Sequence, residues 1–182
     1  MKAGARVLGI DDSPFTQKDD RVLVVGVVWR SGIVEGVLST YVRRDGLDST
    51  EKIDRMVEKS KFRPQIKLIV IHGLMLAGFN IVDINGLNRR LSLPVIAVTK
   101  KRPHRKEVKD ALKKFTDCER RWELVESAGK AMKVGRVYAQ LSGISERDAR
   151  SFLSSFESVP EPVRLAHLIG SGIIRGESHG KV

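Results

Sequence analysis

Two runs rich in β-branched residues, RVLVVGVVWR at Arg21–Arg30 and GIVEGVLSTYVRR at Gly32–Arg44, constrain the fold more than any other feature of the chain. Only the turn Arg30-Ser31-Gly32 separates them, and so short a link joins strands only as antiparallel neighbours. The apolar run Val7-Leu8-Gly9-Ile10 precedes them as a third strand of the same meander. A helix is expected from Ser49 to Ser60, with Ile53, Met56 and Val57 on one face, followed by the fully apolar strand Ile66–Ile71. After it come a short helix near Ile81–Arg90, a strand at Pro94–Thr99, two basic helices near Lys106–Phe115 and Cys118–Lys133, a strand at Arg136–Leu141 and a helix from Ser145 to Phe156. A last helix opens at PEPVRLAHLI, where proline suits the first turn. Fully apolar strands are buried on both faces. The expected fold class is therefore α/β, a mixed sheet of about five strands, three antiparallel and then parallel crossovers, with helices on both faces. The 182 residues, 41% hydrophobic, suit one domain over 1–182, with a basic helical segment at 100–136 inside it.

Charge separates the possible partners. Lys and Arg number 33 against 22 Asp and Glu, a formal net charge of +11, so the field around the protein attracts polyanions. The excess is uneven, with 13 basic against 6 acidic residues between Lys100 and Arg136. Such clustering is the footprint of a phosphate-backbone binder, and equally of a solvated lysine-rich hairpin. No apolar run approaches the roughly 20 residues that span a bilayer, and MKAGARVLGIDD lacks a signal-peptide pattern. The single cysteine, Cys118, excludes an internal disulfide and a Cys-rich zinc site. A reducing cytoplasm is the expected location, without a membrane partner.

The segment RVLGIDDSPF, Arg6–Phe15, carries the sharpest chemical signal, because an apolar strand ends on two adjacent carboxylates, Asp11 and Asp12. Turn chemistry explains such a pair, since Asp and Ser bond backbone N–H groups where strands end. A metal or proton site at the tip of a core strand is the alternative, and the pair taken alone favours turn chemistry.

GIDDSPF at Gly9–Phe15, LIVIHGLMLAGFNIVDINGL at Leu68–Leu87, LPVIAVTKK at Leu93–Lys101 and VPEPVRLAHLIGSG at Val159–Gly172 follow one another in an order that resembles the archaeal endonuclease dU family, distant relatives of endonuclease V. The resemblance implies a ribonuclease H-like fold and a divalent-metal-dependent nuclease acting on DNA with deaminated bases, uracil or hypoxanthine. The Asp of the relatives' first-strand Gly-x-Asp motif falls on Asp11, their strand-end Lys on Lys100, and their late His on His167 within PEPVRLAH. A carboxylate in that position implies a ligand for an Mg²⁺ or Mn²⁺ ion that activates water and neutralises charge at the scissile phosphate.

The departures from endonuclease V matter as much. Where it has an Asp-Gly at the end of its fourth strand, this chain has His72-Gly73. An imidazole is a poor ligand for Mg²⁺. His72 therefore stands as a metal ligand with a preference towards Mn²⁺, as an acid or base, as the mark of a lost site, or as a buried neutral histidine. STYVRRDGLDSTEK, Ser39–Lys52, replaces the wedge loop and the third carboxylate of endonuclease V. Its Asp48 is carried as the second metal ligand, with Glu51, Asp45 and the more distant Asp83 as alternatives. The run Asp48-Ser49-Thr50-Glu51 also has capping-box spacing.

Candidate nucleic-acid contacts are Lys101, Arg102, Arg105, Lys106, Lys109 and Lys113 on the basic segment, with Tyr41, Gly78 and Asn80. The stretch Ala77-Gly78-Phe79-Asn80 reads as a tight loop over the site, Gly78 taking an unusual backbone angle and Asn80 capping the next helix. Gly176-Glu177-Ser178-His179-Gly180 reads from its composition as a disordered end.

Overall fold

A computed structural model describes residues 4–178. The main sheet has seven strands: β1 (Arg6–Asp12), β2 (Arg21–Arg30), β3 (Ile33–Arg43), β4 (Ile66–His72), β7 (Val95–Thr99), β8 (Met132–Val134) and β9 (Val137–Ser142), in the order β3-β2-β1-β4-β7-β9-β8. β5 (Met75–Leu76) and β6 (Asn80–Ile81) form a separate small hairpin. The helices are α1 (Ser49–Glu58), α2 (Ile84–Leu91), α3 (Arg105–Leu112), α4 (Cys118–Ser127), α5 (Glu146–Leu153) and α6 (Glu161–Arg175).

The meander forms as its short turn requires, β1 with β2 and β2 with β3 antiparallel. β1 with β4 and β4 with β7 are the parallel crossovers. The expected count of about five is corrected to seven, since all six apolar runs join the one sheet and β8 is added, and the last long strand, β9, runs antiparallel to β7. The reason is local. Gly129, at φ +75°, ends α4 well before Lys133, and Met132–Val134 is released to pair with β9 through a turn at Gly135, φ +56°. Alternation sends Leu8, Ile10, Ile69 and Ile71 to one face of the sheet, where they pack with α1 and α2. Val7, Leu68 and Val70 go to the other, where Val159 and Val163 meet them.

Two caps differ from expectation. Asp83, not Asn80, caps α2, its carboxylate accepting from Gly86 N–H at 2.8 Å. Asn80 serves α1 instead, its Oδ1 accepting from Ser49 N–H at 3.0 Å. The Asp48 side chain makes no cap bond to α1, and Glu51 pairs with Arg55 at 2.6 Å, so the capping-box spacing is not realised. At the far end Gly176, at φ +82°, terminates α6. His179 and Gly180 lie outside the described residues.

Candidate active site

The parallel register sets Ile10 beside Ile71, and the next residue on each strand, Asp11 and His72, projects to the same face. α6 crosses that face. It comes so close that a Cβ on Gly9 would lie 2.3 Å from Pro162 C and 2.5 Å from Val163 N, so only glycine permits the approach. His167 is delivered by this packing, just over one turn beyond Val163. Its Nδ1 lies 3.0 Å from Asp11 Oδ2, and His72 Nδ1 lies 3.1 Å from both Asp11 oxygens.

Asp11 is 1% exposed. Burial opposes its charge, but the hydrogen bonds from His167 and His72 outweigh burial and hold its pKa below the ordinary carboxylate range. Burial likewise disfavours charge on His72, and the bond and charge of Asp11 reverse this, raising its pKa. An ionised carboxylate only accepts, so each Nδ1 carries a proton and each Nε2 is the nitrogen where a proton is taken up or released. Asp12 is the residue that sequence reasoning left as half of a turn pair. Burial and then the neighbouring Asp11 charge push its pKa up to about 6.

Asp12 turns to the opposite face and accepts from Ala77 N–H at 2.6 Å. Ala77 is one of the non-glycine residues at positive φ, 49°, and its carbonyl accepts from Asp45 N–H at 2.8 Å. Asp45 in turn accepts from Phe79 N–H at 2.9 Å. Gly78 has the expected unusual angle, φ +86°, and a Cβ there would meet Asp45 Oδ1 at 2.4 Å. Asp48 is held by Asn80 Nδ2 at 2.7 Å and Arg43 N–H at 3.1 Å, while Asp83 caps α2. These acids fasten loops, and Asn80, fully buried, does the same. Arg121, missed in the sequence because it sits among many basic residues, is buried and locks the whole arrangement. Its guanidinium donates to the carbonyls of Asp45, Gly46 and Phe79 at 2.8–3.1 Å and pairs with Asp117.

Beyond His72 opens a cavity of about 930 Å³. Lys101, Arg102, Arg105 and Lys106 contribute its basic wall, and Met75, Val125 and Gln140 line other parts of it. Lys100 is exposed just past the end of β7, two residues beyond Val98, the partner of His72. Lys109 lies outside the cavity over the Trp122 ring, 5.0 Å from its centroid, and Lys113 pairs with Asp110 at 2.7 Å. Tyr41 lies on the outermost strand, 46% exposed, under the guanidinium of Arg21.

The sequence model of the family described as endonuclease dU matches residues 3–174. The chain belongs to the endonuclease dU family. A UPF0215 protein of Methanothermobacter thermautotrophicus is 44% identical over 99% of this chain and 93% of its own length. A crystal structure of a protein of unknown function from Archaeoglobus fulgidus is 40% identical and superposes with a TM-score of 0.89, over 94% of this chain and 99% of that one. Endonuclease V of Ciona intestinalis, solved with a DNA containing an inosine followed by a ribo-adenosine, shares the fold at 14% identity, with a TM-score of 0.58 over 90% of this chain and 83% of that one.

In this endonuclease dU family member, no group of three or more His, Cys, Asp or Glu side chains among the described residues is arranged to hold a metal ion. Asp11 spends its oxygens on two imidazoles instead. The donors nevertheless suit an ion in kind: a carboxylate with imidazoles favours a first-row transition ion over Mg²⁺. Ser13 Oγ, just past the end of β1 and against Gly170 of α6, is buried without a hydrogen-bond partner among the described residues. No described helix is long and apolar enough to cross a membrane.

Proposed function

We propose that the protein is a divalent-metal-dependent endonuclease of ribonuclease H-like architecture that nicks DNA at a deaminated base, deoxyuridine or deoxyinosine, in the repair of DNA in the cytoplasm. One observation carries the reading: a buried carboxylate clasped by two imidazoles at a strand tip, one of which, His72, also lines a cavity with a basic wall. Family membership and the fold shared with a DNA-bound endonuclease V support it.

Lys101, Arg102, Arg105 and Lys106 draw in the phosphate backbone, and Lys100 holds the scissile phosphate as a point charge. Asp11 fixes both imidazoles with Nδ1 protonated. His72, whose pKa is raised by Asp11, keeps its charged form populated to higher pH and donates from Nε2 to an oxygen that develops negative charge. His167 exchanges its proton at Nε2 with the attacking water or the leaving oxygen. A bound ion would be held by Asp11 and by His72 in its neutral form, in exchange for their mutual hydrogen bonds; it would take the place of the His72 imidazolium and supply Lewis-acid activation of water and charge neutralisation. Asp48, bonded to Asn80 and Arg43, would join only by releasing the loop it holds.

The test is nicking of otherwise identical duplexes carrying uracil, hypoxanthine or neither, with Mn²⁺ and with Mg²⁺. Cleavage confined to the damaged strands, faster with Mn²⁺, is expected. A second reading, a nucleic-acid-binding protein without catalysis, draws on the same clasp, since Asp11 is already satisfied by protein partners. Binding without cleavage of any of the three duplexes would favour it.

A further inference from the structure

β3 closes one side of the main sheet, and among the described residues no strand lies beyond it. Its hydrogen bonds reveal the direction of its polar groups. Arg44 N–H donates to Asp20 O at 2.9 Å on the inner side, whereas Arg43 N–H and C=O are taken from outside by Asp48 and Asn80. Polar groups of alternate residues on an edge strand point the same way, and the register shift lies farther back, opposite Val28 and Trp29. Val37, Ser39 and Tyr41 therefore direct their N–H and C=O outward. Edges of this kind are ordinarily blunted by lysine, proline or short length. The stretch Val37-Leu38-Ser39-Thr40-Tyr41 has none of these, and Val37 is 49% and Tyr41 46% exposed.

Beside this stretch, between the strand and α1, runs a cavity of about 400 Å³ lined by Leu38, Ser39, Thr40, Lys52, Arg55, Met56, Lys59 and Ser60. Leu38 and Met56 supply its apolar part. Its charged lining is basic throughout, and because Arg55 is matched by Glu51, Lys52 and Lys59 set its sign.

We propose that this edge docks an extended acidic segment of a partner protein, which adds as a strand along Val37–Tyr41. An apolar side chain of the segment enters the groove over Leu38 and Met56, and carboxylates two residues to either side of it, which share its face, meet Lys52 and Lys59. Charge selects this occupant. A second copy paired through the same edge would bring two Lys52, Arg55 and Lys59 groups together on a chain of net charge +11. Nucleic acid would match the lysines but leave the outward donors and acceptors at strand spacing unused. The inference is independent of nicking.

The test uses the full chain and an acetylated, amidated, fluorescein-labelled peptide in which Glu and Val share one strand face, spaced by Thr (Glu-Thr-Val-Thr-Glu, the Glu-Val peptide), with the same peptide carrying Lys for Glu (the Lys-Val peptide) as control. The Glu-Val peptide is expected to bind saturably and to slow amide exchange at Ser39 and Tyr41. Ser39→Pro, which removes an outward N–H at an edge position that tolerates proline, and the charge reversal Lys52→Glu with Lys59→Glu are each expected to weaken binding about tenfold. No saturable binding up to about 1 mM, binding unaffected by Ser39→Pro, equal binding of the Lys-Val peptide, or displacement by duplex DNA would each overturn the proposal.

Discussion

The strand-tip site and the basic α3–α4 hairpin differ in what holds them. Asp11, His72 and His167 come from three elements far apart in sequence, and a buried hydrogen-bonded clasp joins them. Apart from the buried Arg121, the hairpin's charges are on the surface, in loose pairs such as Lys113 with Asp110, and Arg150 with Glu146 is a like pair elsewhere on the surface. Chemistry needs side chains placed to fractions of an ångström, which packing supplies. Capture of a polyanion needs only a field, which tolerates loose geometry.

The largest expected effect breaks the packing that places His167. Gly9→Val would drive a Cβ into Pro162 and Val163, destabilising the fold by more than about 3 kcal/mol. Chemical denaturation checks this. Arg121→Met tests the link between the two regions, since it leaves the carbonyls of Asp45, Gly46 and Phe79 without their donor. A loss of about 3 kcal/mol is expected, together with faster amide exchange at Phe79.

Asp12→Asn should move stability in the other direction, and only at higher pH. A carboxyl whose folded pKa is about 6 against an ordinary 3.8 binds its proton more tightly when folded, so it destabilises the fold as pH rises from about 4 through 6. At one pKa unit per about 1.36 kcal/mol, Asn, which keeps an acceptor for Ala77 N–H, should gain up to about 3 kcal/mol at pH 8 and almost nothing at pH 4. Tm measured at both pH values decides it. The neighbours act with their own signs: the Asp11 contribution is lost as pH falls below the ordinary carboxylate value, and the His72 contribution as pH rises above 6.5. The smallest effect belongs to the hairpin. Arg105→Gln with Lys106→Gln should flatten the log-log salt dependence of duplex binding by about 0.9 for each phosphate that the chain no longer neutralises, with no change in Tm.

These contrasts also explain what the sequence reveals. The meander was legible because a turn as short as Arg30-Ser31-Gly32 leaves one pairing, and Asp11 because a carboxylate at the end of VLGI breaks an apolar pattern. β8 was not, since Met132–Val134 is only three residues and looks like a continuation of α4 until Gly129 is seen at positive φ. The partners of Asp48, Asn80 and Arg121 are long-range bonds between loops, which no local spacing encodes. Asp48 near a helix start looks like a cap in sequence, and in the structure its acceptor is used by Asn80 from the distant hairpin. Asp12 is legible in the sequence only as half of the carboxylate pair, because its bond to Ala77 N–H comes from a distant loop on the opposite face from Asp11, though the two charges still interact.

The most direct measurement is nicking and binding of the same uracil- or hypoxanthine-containing duplex by Asp11→Asn and the wild-type chain, side by side at one salt concentration. Asn preserves the shape while removing the charge that orients both imidazoles. Nicking is expected to fall on the order of 10³-fold or more, with affinity for the duplex nearly unchanged. Nicking retained at the wild-type rate, or reduced only in proportion to the fraction of folded protein, would contradict a catalytic Asp11 and leave the carboxylate as a structural tie between β1, β4 and α6.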